Sequence, residues 1–225
     1  MDAALQQVEF AYGDEGFRLR IPKLKLASGS RTAFVGPSGS GKTTLLRLLA
    51  GISTPQTGSI HIGDHALHNM SDTERRAFRI RHIGFVFQDF RLIDYLDVRE
   101  NLRLAYRLNE ALSLSAAVDK RLAKLTNDLQ LTDRLNAGID TLSQGERQRV
   151  AIGRALLPQP KLILADEPTG NLDPANKARI LELLFNQAEA NHTTLVMVTH
   201  DHALLDRFEQ VIDFQDFQAQ EAPHA

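Results

Sequence analysis

The stretch GPSGSGKTT, residues 36–44, has the residue types and spacing needed to hold a chain of phosphates. Small residues allow a tight turn in which successive backbone N–H groups point at phosphate oxygens, and a helix that starts there adds the positive end of its dipole. Lys42 is expected to reach the β- and γ-phosphates, and the Thr43 hydroxyl to bind Mg²⁺. The predicted nucleotide contacts of this loop are Gly36, Pro37, Ser38, Gly39, Ser40, Gly41, Lys42, Thr43 and Thr44.

Two adjacent carboxylates, Asp166 and Glu167, follow the apolar run LILA. Side chains at the carboxyl end of a parallel strand emerge at the edge of the sheet where the phosphate loop is expected. Asp166 is expected to hold Mg²⁺, directly or through water, while Glu167 orients and partly deprotonates the water that attacks the γ-phosphorus. Taken alone, such a pair also fits a helix N-cap or a surface ion pair, and the phosphate loop favours the catalytic interpretation.

A second turn suited to an anion opens the segment LSQGERQRVAIGRAL. Ser143 precedes Gly145 at the start of a predicted helix, so a hydroxyl, free backbone N–H groups and a positive dipole end are available together. The simplest geometry is a two-fold dimer in which each Ser143 caps the γ-phosphate held by the other subunit. The alternative is an ordinary capped amphipathic helix with three arginines in solvent: Arg147, Arg149 and Arg154.

Hydrophobic periodicity predicts the elements that position these groups. Short apolar runs alternate with helical patterns, which indicates a mainly parallel sheet with helices on its faces. The predicted strands of that sheet are RTAFVG, KLILAD, TTLVMVT and EQVIDF, and LQQVEF, FRLRI and SIHIG supply an antiparallel part. From Gln88 to Leu156 the pattern is mostly helical and predicts an inserted lobe. Five residues at helical spacing are expected in its core: Leu114, Val118, Leu122, Leu125 and Leu129.

Composition narrows the classes of protein. The 225 residues fit one core with an inserted lobe. A net charge of −2 gives no support for a surface that coats nucleic acid, so no nucleic-acid partner is predicted. The absence of cysteine excludes disulfides and thiolate metal sites. No signal segment or membrane span is recognisable, so the chain is expected to be neither secreted nor inserted by itself, and residues 218–225 are expected to fray.

In their order along the chain, these motifs resemble those of the nucleotide-binding subunits of ATP-binding cassette transporters. The set is the phosphate loop, FVFQDF with Gln88, LSQGE, LILADEP, NLD and VTHD with His200. The resemblance spans nearly the whole chain and implies an α/β fold: a P-loop NTPase core of the RecA-like type with an antiparallel β part and an inserted helical subdomain. It implies one domain over residues 1–225, divided into a core of residues 1–87 and 157–225 and a helical subdomain of residues 88–156.

The same resemblance implies roles for residues outside the phosphate loop. Tyr12 is expected to stack on adenine, although a tyrosine after a strand is otherwise unremarkable. Gln88 is expected to bind Mg²⁺ and to sense the attacking water. His200, in a position usually structural, is expected to contact the γ-phosphate and to hold the geometry of the water and Glu167. The implied catalytic set is Lys42, Gln88, Glu167 and His200, and the nucleotide contacts of the second subunit are Ser143, Gly145 and Asp173.

The function implied by the resemblance is that of a Mg²⁺-dependent ATPase with ATP as its nucleotide. The chain is expected to form a homodimer that drives a separate, integral membrane permease-type subunit, and to lie in the cytoplasm against the inner face of the cell membrane. VFQDFRLIDYLDVRENL and DEPTGNLDP are closest to the subfamily that serves lipoprotein release, macrolide-type efflux and cell-division complexes. The signature departs from the usual Leu-Ser-Gly-Gly-Gln, because Gln144 and Glu146 occupy its third and fifth places, which leaves nucleotide affinity across the dimer open.

Other functions remain open at this point. A stand-alone P-loop kinase needs neither the Ser143 turn nor His200. A soluble cassette ATPase acting on DNA or ribosomes usually has two cassettes or a long coiled-coil insert, and neither is seen here. An ATP-gated regulator of a cell-envelope or division complex is not separated from a transporter by the sequence. The transported substrate, its direction and the identity of the membrane subunit belong largely to the other chain.

Overall fold

The computed structural model describes residues 1–13, 17–110, 112–170 and 172–217. Its strands are β1 (Ala3–Ala11), β2 (Arg18–Leu26), β3 (Arg31–Val35), β4 (Thr57–Ile62), β5 (His65–Ala66), β6 (Ile83–Val86), β7 (Leu162–Asp166), β8 (Thr194–Val198) and β9 (Gln210–Asp213). Its helices are α1 (Lys42–Leu49), α2 (Asp72–His82), α3 (Val98–Leu102), α4 (Leu104–Leu108), α5 (Ala116–Asp128), α6 (Gln144–Leu156) and α7 (Pro174–Ala190). The residues expected to fray and Asn171 of the NLD motif lie outside the described residues.

A five-stranded parallel sheet forms the centre of the fold, in the order β6-β7-β8-β3-β9. This confirms the predicted parallel sheet and its four predicted strands. The strand β6 was not predicted, because its four residues include Gly84 and follow α2 without a turn. Gly84 has a packing reason, since a Cβ there would lie 2.5 Å from the carbonyl oxygen of Ala155 on α6.

An antiparallel sheet in the order β2-β1-β4-β5 covers one face of the core. The strand β2 is longer than the predicted FRLRI, because it continues through Pro22 to Leu26. Proline is tolerated on an edge strand, where its missing N–H group breaks no ladder between two neighbours. The pairing steps over Pro22, since Gln6 pairs with Lys23 and Val8 with Ile21.

The central sheet is buried on both faces, and alternate residues of its strands enter two cores. Leu162 and Leu164 pack with the antiparallel sheet and α1. Ile163 and Ala165 pack with the longer helices on the other face, including α5, α6 and α7. Because both faces of the strand are buried, β7 reads as a continuous apolar run rather than as an alternating pattern.

The segment from α3 to α6 is helical, as the sequence predicts. Val118, Leu122, Leu125 and Leu129 are buried, which confirms four positions of the predicted stripe. The prediction is wrong for Leu114, which is 51% exposed, because α5 begins only after its N-cap Ser115. The subdomain boundaries at residues 88 and 156 stay predictions. Among the described residues, no helix is both long and apolar enough to cross a membrane.

Candidate nucleotide-binding and catalytic site

The phosphate loop connects β3, which ends at Val35, to α1, which begins at Lys42. Gly41 is the N-cap of α1 and has a φ of 106°. A Cβ at this position would lie 2.5 Å from Cζ of Phe17 and 3.2 Å from Cε1 of Phe214. Glycine is therefore required at position 41 both by the backbone conformation and by the two aromatic rings that press against the loop.

The side chain of Lys42 folds back into the loop. Its Nζ donates hydrogen bonds to the carbonyl oxygens of Gly36 at 2.9 Å and Pro37 at 2.7 Å. Burial lowers the pKa of Lys42, and the nearby carboxylates, Glu167 first among them, oppose this change. The ammonium group is thus held inside the curve of the loop, where phosphate oxygens are expected, and close to the acidic pair.

Asp166 ends β7 and is 4% exposed. Burial raises the pKa of its carboxyl group, while a hydrogen bond from the Thr43 side chain opposes the rise. The fold therefore brings a hydroxyl oxygen from the first turn of α1 against a carboxylate from β7. Mg²⁺ prefers hard oxygen ligands, and a cation would stabilise the buried carboxylate of Asp166. This pair of oxygen donors therefore fits Mg²⁺.

Glu167 and His200 form a carboxylate–imidazole contact at the same edge of the sheet. Nε2 of His200 lies 2.8 Å from Oε1 of Glu167, and both side chains are partly exposed. Glu167 has a φ of 46°, and its N–H donates to the carbonyl oxygen of Val198 at 3.1 Å. The left-handed conformation turns the Glu167 side chain away from the line of β7. The pair lines a pocket together with Thr199 and Gly170.

Gln88 lies in the turn after β6, and its side chain is exposed. Because β6 pairs in parallel with β7, Gln88 leaves the sheet at the same edge as Asp166. The turn is held from α6: the guanidinium of Arg154 donates to the carbonyl oxygens of Phe90, at 2.6 Å, and Arg91. Burial lowers the pKa of Arg154 to about 10.

Ser143 is the N-cap of α6 and is closed into a capping box by Glu146. The hydroxyl of Ser143 donates to Oε2 of Glu146 at 2.8 Å, and the Ser143 N–H donates to the same oxygen at 2.9 Å. These hydrogen bonds from Ser143 lower the pKa of Glu146. Nε of Arg134 lies 3.0 Å from the other carboxylate oxygen. The departure from the usual signature at position 146 is thus used locally, to cap the helix.

The helix is capped, as the alternative predicts, but the prediction that its three arginines lie in solvent is wrong. Arg154 binds the turn after Gln88, and Arg147 donates to the carbonyl oxygens of Asp140 and Leu142. The third guanidinium, on Arg149, donates to the side-chain oxygen of Asn176.

Asn176 in turn connects this helix to a predicted nucleotide contact. Its Nδ2 donates to Oδ2 of Asp173 at 2.6 Å, while the other oxygen of Asp173 caps α7. Hydrogen bonds, that from the Asn176 side chain first, lower the pKa of Asp173. The segment that carries Asp173 is therefore fixed to α6 through Arg149.

Aromatic residues surround the nucleotide end of the loop. Tyr12 is 44% exposed, packs edge-on against Phe10 at 4.8 Å, and accepts a hydrogen bond from Arg47 at 3.4 Å. Sequence reasoning missed Phe17 and Phe214, which both contact the loop at Gly41. Proximity in the chain to Tyr12 was a signal for Phe17, whereas no motif marks Phe214.

The family model for ABC transporters matches residues 19–170. The lipoprotein-releasing system ATP-binding protein LolD of Psychrobacter arcticus is 43% identical over 187 residues, which cover 82% of each chain. The uncharacterized ABC transporter ATP-binding protein YbbA of Escherichia coli is 42% identical over 200 residues, which cover 88% of this chain and 86% of that one.

A solved structure shares the whole architecture. The ATP-binding cassette MJ0796, determined as a dimer in a post-hydrolysis state with ADP and Pi, aligns with a TM-score of 0.87 at 31% identity, covering 99% of each chain. The similarity in sequence and in fold thus agrees with a site in which the phosphate loop, the acidic pair and His200 lie close together. The chain belongs to the ABC transporter family, and it is an ATP-binding and ATP-hydrolysing subunit similar to that of lipoprotein-releasing systems.

Proposed function

We propose that two copies of this chain close around two molecules of ATP with Mg²⁺, and that this cycle drives a membrane partner. The observation that carries the proposal is the contact of Glu167 with His200, 2.8 Å apart, at the edge of the sheet that also bears the phosphate loop. A carboxylate oriented by an imidazole and placed next to a phosphate loop is suited to activating water.

The residues of the loop hold the nucleotide. Backbone N–H groups of residues 36–44 bind phosphate oxygens, and Lys42 neutralises charge on the β- and γ-phosphates. Thr43, Asp166 and Gln88 would hold Mg²⁺, which would neutralise negative charge on the β- and γ-phosphates. Tyr12, exposed beside the loop, stacks on adenine. Positioning and charge neutralisation account for most of the rate enhancement in such phosphoryl transfers.

Hydrolysis uses the carboxylate of Glu167 as the acceptor for a proton of the attacking water. His200 holds that carboxylate through the 2.8 Å contact and is free at its exposed edge to approach the γ-phosphate. Gln88 follows β6 at the edge of the sheet that carries Asp166, and its side chain senses the same water. In these roles the proton acceptor Glu167 and the cation ligand Asp166 lie together at the end of β7, with His200 after the neighbouring strand β8 and Gln88 after β6.

The second copy completes the site. Ser143 and Gly145 of one subunit approach the γ-phosphate bound by the other, and Asp173 lies on the segment that α6 holds through Arg149. The dimeric arrangement of the cassette MJ0796 supports this geometry. ATP therefore acts as a shared ligand, since each nucleotide contacts both subunits and stabilises the closed dimer.

The proposed membrane partner is a permease-type subunit of the kind that accompanies lipoprotein-release systems, with this chain in the cytoplasm on the inner face of the membrane. Similarity to LolD supports this assignment. A shallow apolar groove between α4, β6 and the C-terminal end of α6 suits a short cytoplasmic helix of such a partner. Its apolar lining includes Ile83, Phe85, Phe87, Leu104 and Leu108.

The Glu167→Gln variant tests the proposal. It should bind ATP with near-normal affinity but lose roughly 10²- to 10⁴-fold in turnover, the usual contribution of a positioned general base. Glu182→Gln is a matched control, because Glu182 is an exposed glutamate on α7 that pairs with Arg207. Near-normal hydrolysis by Glu167→Gln would remove Glu167 from the proposed role.

The partner is tested with the same variant. Glu167→Gln carrying an affinity tag is purified from native membranes with ATP present, and the proteins that accompany it are identified by mass spectrometry. Stoichiometric recovery of a membrane protein with a large periplasmic domain supports the lipoprotein-release assignment. Recovery of soluble proteins alone contradicts a membrane partner.

A further inference from the structure

The hydroxyl of Ser143 binds a carboxylate of its own helix. It donates to Oε2 of Glu146 at 2.8 Å, and the same carboxylate oxygen accepts the Ser143 N–H at 2.9 Å. The side chain of Glu146 is 15% exposed, so water screens its charge only in part. A phosphate that is to bind the hydroxyl of Ser143 must therefore compete with a carboxylate for the same proton.

We propose that Glu146 is a gating residue. Its negative charge makes the ATP-dependent closing of two copies of this chain less favourable and so raises the dissociation constant of the closed dimer. The inference rests on the proposed dimer, in which Ser143 meets the γ-phosphate of a nucleoside triphosphate bound by the other copy. Its basis is chemical, since the carboxylate of Glu146 that accepts the Ser143 hydroxyl carries the same sign of charge as the phosphate that would replace it.

The geometry limits how far apart the two negative charges can be. Oε2 of Glu146 lies 2.8 Å from the Ser143 oxygen, and a phosphate oxygen bound to that hydroxyl would lie about 2.7 Å from it. If the box stays closed, phosphate and carboxylate oxygens are thus at most about 5.5 Å apart. Repulsion between one unit charge on the phosphate and one on Glu146 at that distance weakens phosphate binding roughly four-fold at the dielectric constant of water. At half that dielectric constant the effect is roughly twelve-fold.

Arg134 reduces this penalty without removing it. Its Nε lies 3.0 Å from Oε1 of Glu146, on the carboxylate oxygen that does not bind Ser143. The Arg134 side chain is 56% exposed, so water shares its charge. The carboxylate therefore keeps part of its negative potential towards the turn at Ser143, and loss of Arg134 would increase that potential.

Another capping box made of serine and glutamate serves as a matched control. At the start of α2, Ser71 donates from its hydroxyl to Oε2 of Glu74 at 2.7 Å and from its N–H at 2.8 Å. In both boxes the return hydrogen bond, from the glutamate N–H to the serine hydroxyl, is 3.3 Å long. The two boxes share their geometry, but only the box at Ser143 belongs to the proposed ATP interface.

Glutamine at position 146 preserves the cap and removes the charge, because it serves the same place in a capping box. In the Glu167→Gln background, where ATP is retained, the dissociation constant of the dimer is measured at saturating ATP and Mg²⁺ by sedimentation velocity. Adding Glu146→Gln is expected to lower that constant at least about tenfold, since each of two sites contributes a factor of about four or more before the compensation by Arg134. Adding Glu74→Gln should leave it within about twofold, and adding Arg134→Gln should raise it.

The possible failures are distinguishable. If Glu167→Gln alone remains monomeric with ATP, the proposed dimer is wrong, and the role of Glu146 falls with it. If that parent dimerises but Glu146→Gln leaves the dissociation constant unchanged or raises it, the dimer stands and the gating role is refuted. An equal shift from Glu74→Gln also refutes the gating role, because the effect would then belong to helix capping. If Glu146→Gln does not fold, the sign of the Arg134→Gln effect decides.

Discussion

Replacing Gly41 by alanine perturbs the phosphate loop in a way that the structure makes quantitative. The φ of 106° at Gly41 lies in a region that side chains disfavour, at a cost of about 1–3 kcal/mol. The new Cβ would also lie 2.5 Å from Cζ of Phe17, and relieving such overpacking costs about 1–3 kcal/mol. The free energy of unfolding of Gly41→Ala should therefore fall by about 3 kcal/mol.

Gly39 separates the two contributions. It also has a positive φ, of 79°, but an added Cβ there meets no atom within 4 Å. Gly39→Ala should thus cost only the backbone term, about 1–2 kcal/mol. The assay is equilibrium unfolding in urea without nucleotide, at constant m-value, for both variants. Circular dichroism and intrinsic tyrosine fluorescence provide independent probes of the transition.

A double-mutant cycle with Phe17→Ala tests the clash directly. If the ring of Phe17 causes the extra cost, Gly41→Ala should be less destabilising in the Phe17→Ala background by about 1–2 kcal/mol. Equal destabilisation by Gly41→Ala and Gly39→Ala would refute the reasoning. So would strict additivity in the cycle, because either result would mean that the ring moves aside without cost.

Two further predictions concern buried charges. Asp166→Asn should raise the free energy of unfolding at pH 8 without nucleotide, because burial raises the pKa of Asp166 and disfavours the ionised folded state. That gain should shrink as the pH falls through the raised pKa, and urea unfolding at pH 8 and pH 5 measures it; a loss of stability at pH 8 would contradict it. Arg154→Met should cost about 1.5–3 kcal/mol, since the carbonyl oxygens of Phe90 and Arg91 lose a charged donor. The exposed Arg81→Met is its control in the same unfolding assay, and equal costs would refute the role of Arg154.

Local sequence patterns predicted the central sheet and the phosphate loop. The loop GPSGSGKTT and the run LILAD specify backbone conformation and burial through neighbouring residues alone, so their positions follow from spacing. The boundaries were less certain where local signals conflict. The predicted strand FRLRI ends before Pro22, whereas β2 continues to Leu26, and Leu114 was placed on a helix that begins only after Ser115.

The sequence by itself thus determined the chemistry of this protein: a phosphate loop, an acidic pair, a Ser-Gly turn and a histidine, in one order. The tertiary structure decided which groups meet. Phe17 and Phe214 pack against Gly41, and Arg154 donates hydrogen bonds to the turn after Gln88. Both contacts join residues from different elements. Periodicity reports which face of an element is buried, whereas contacts between distant elements depend on how the strands and helices pack against each other.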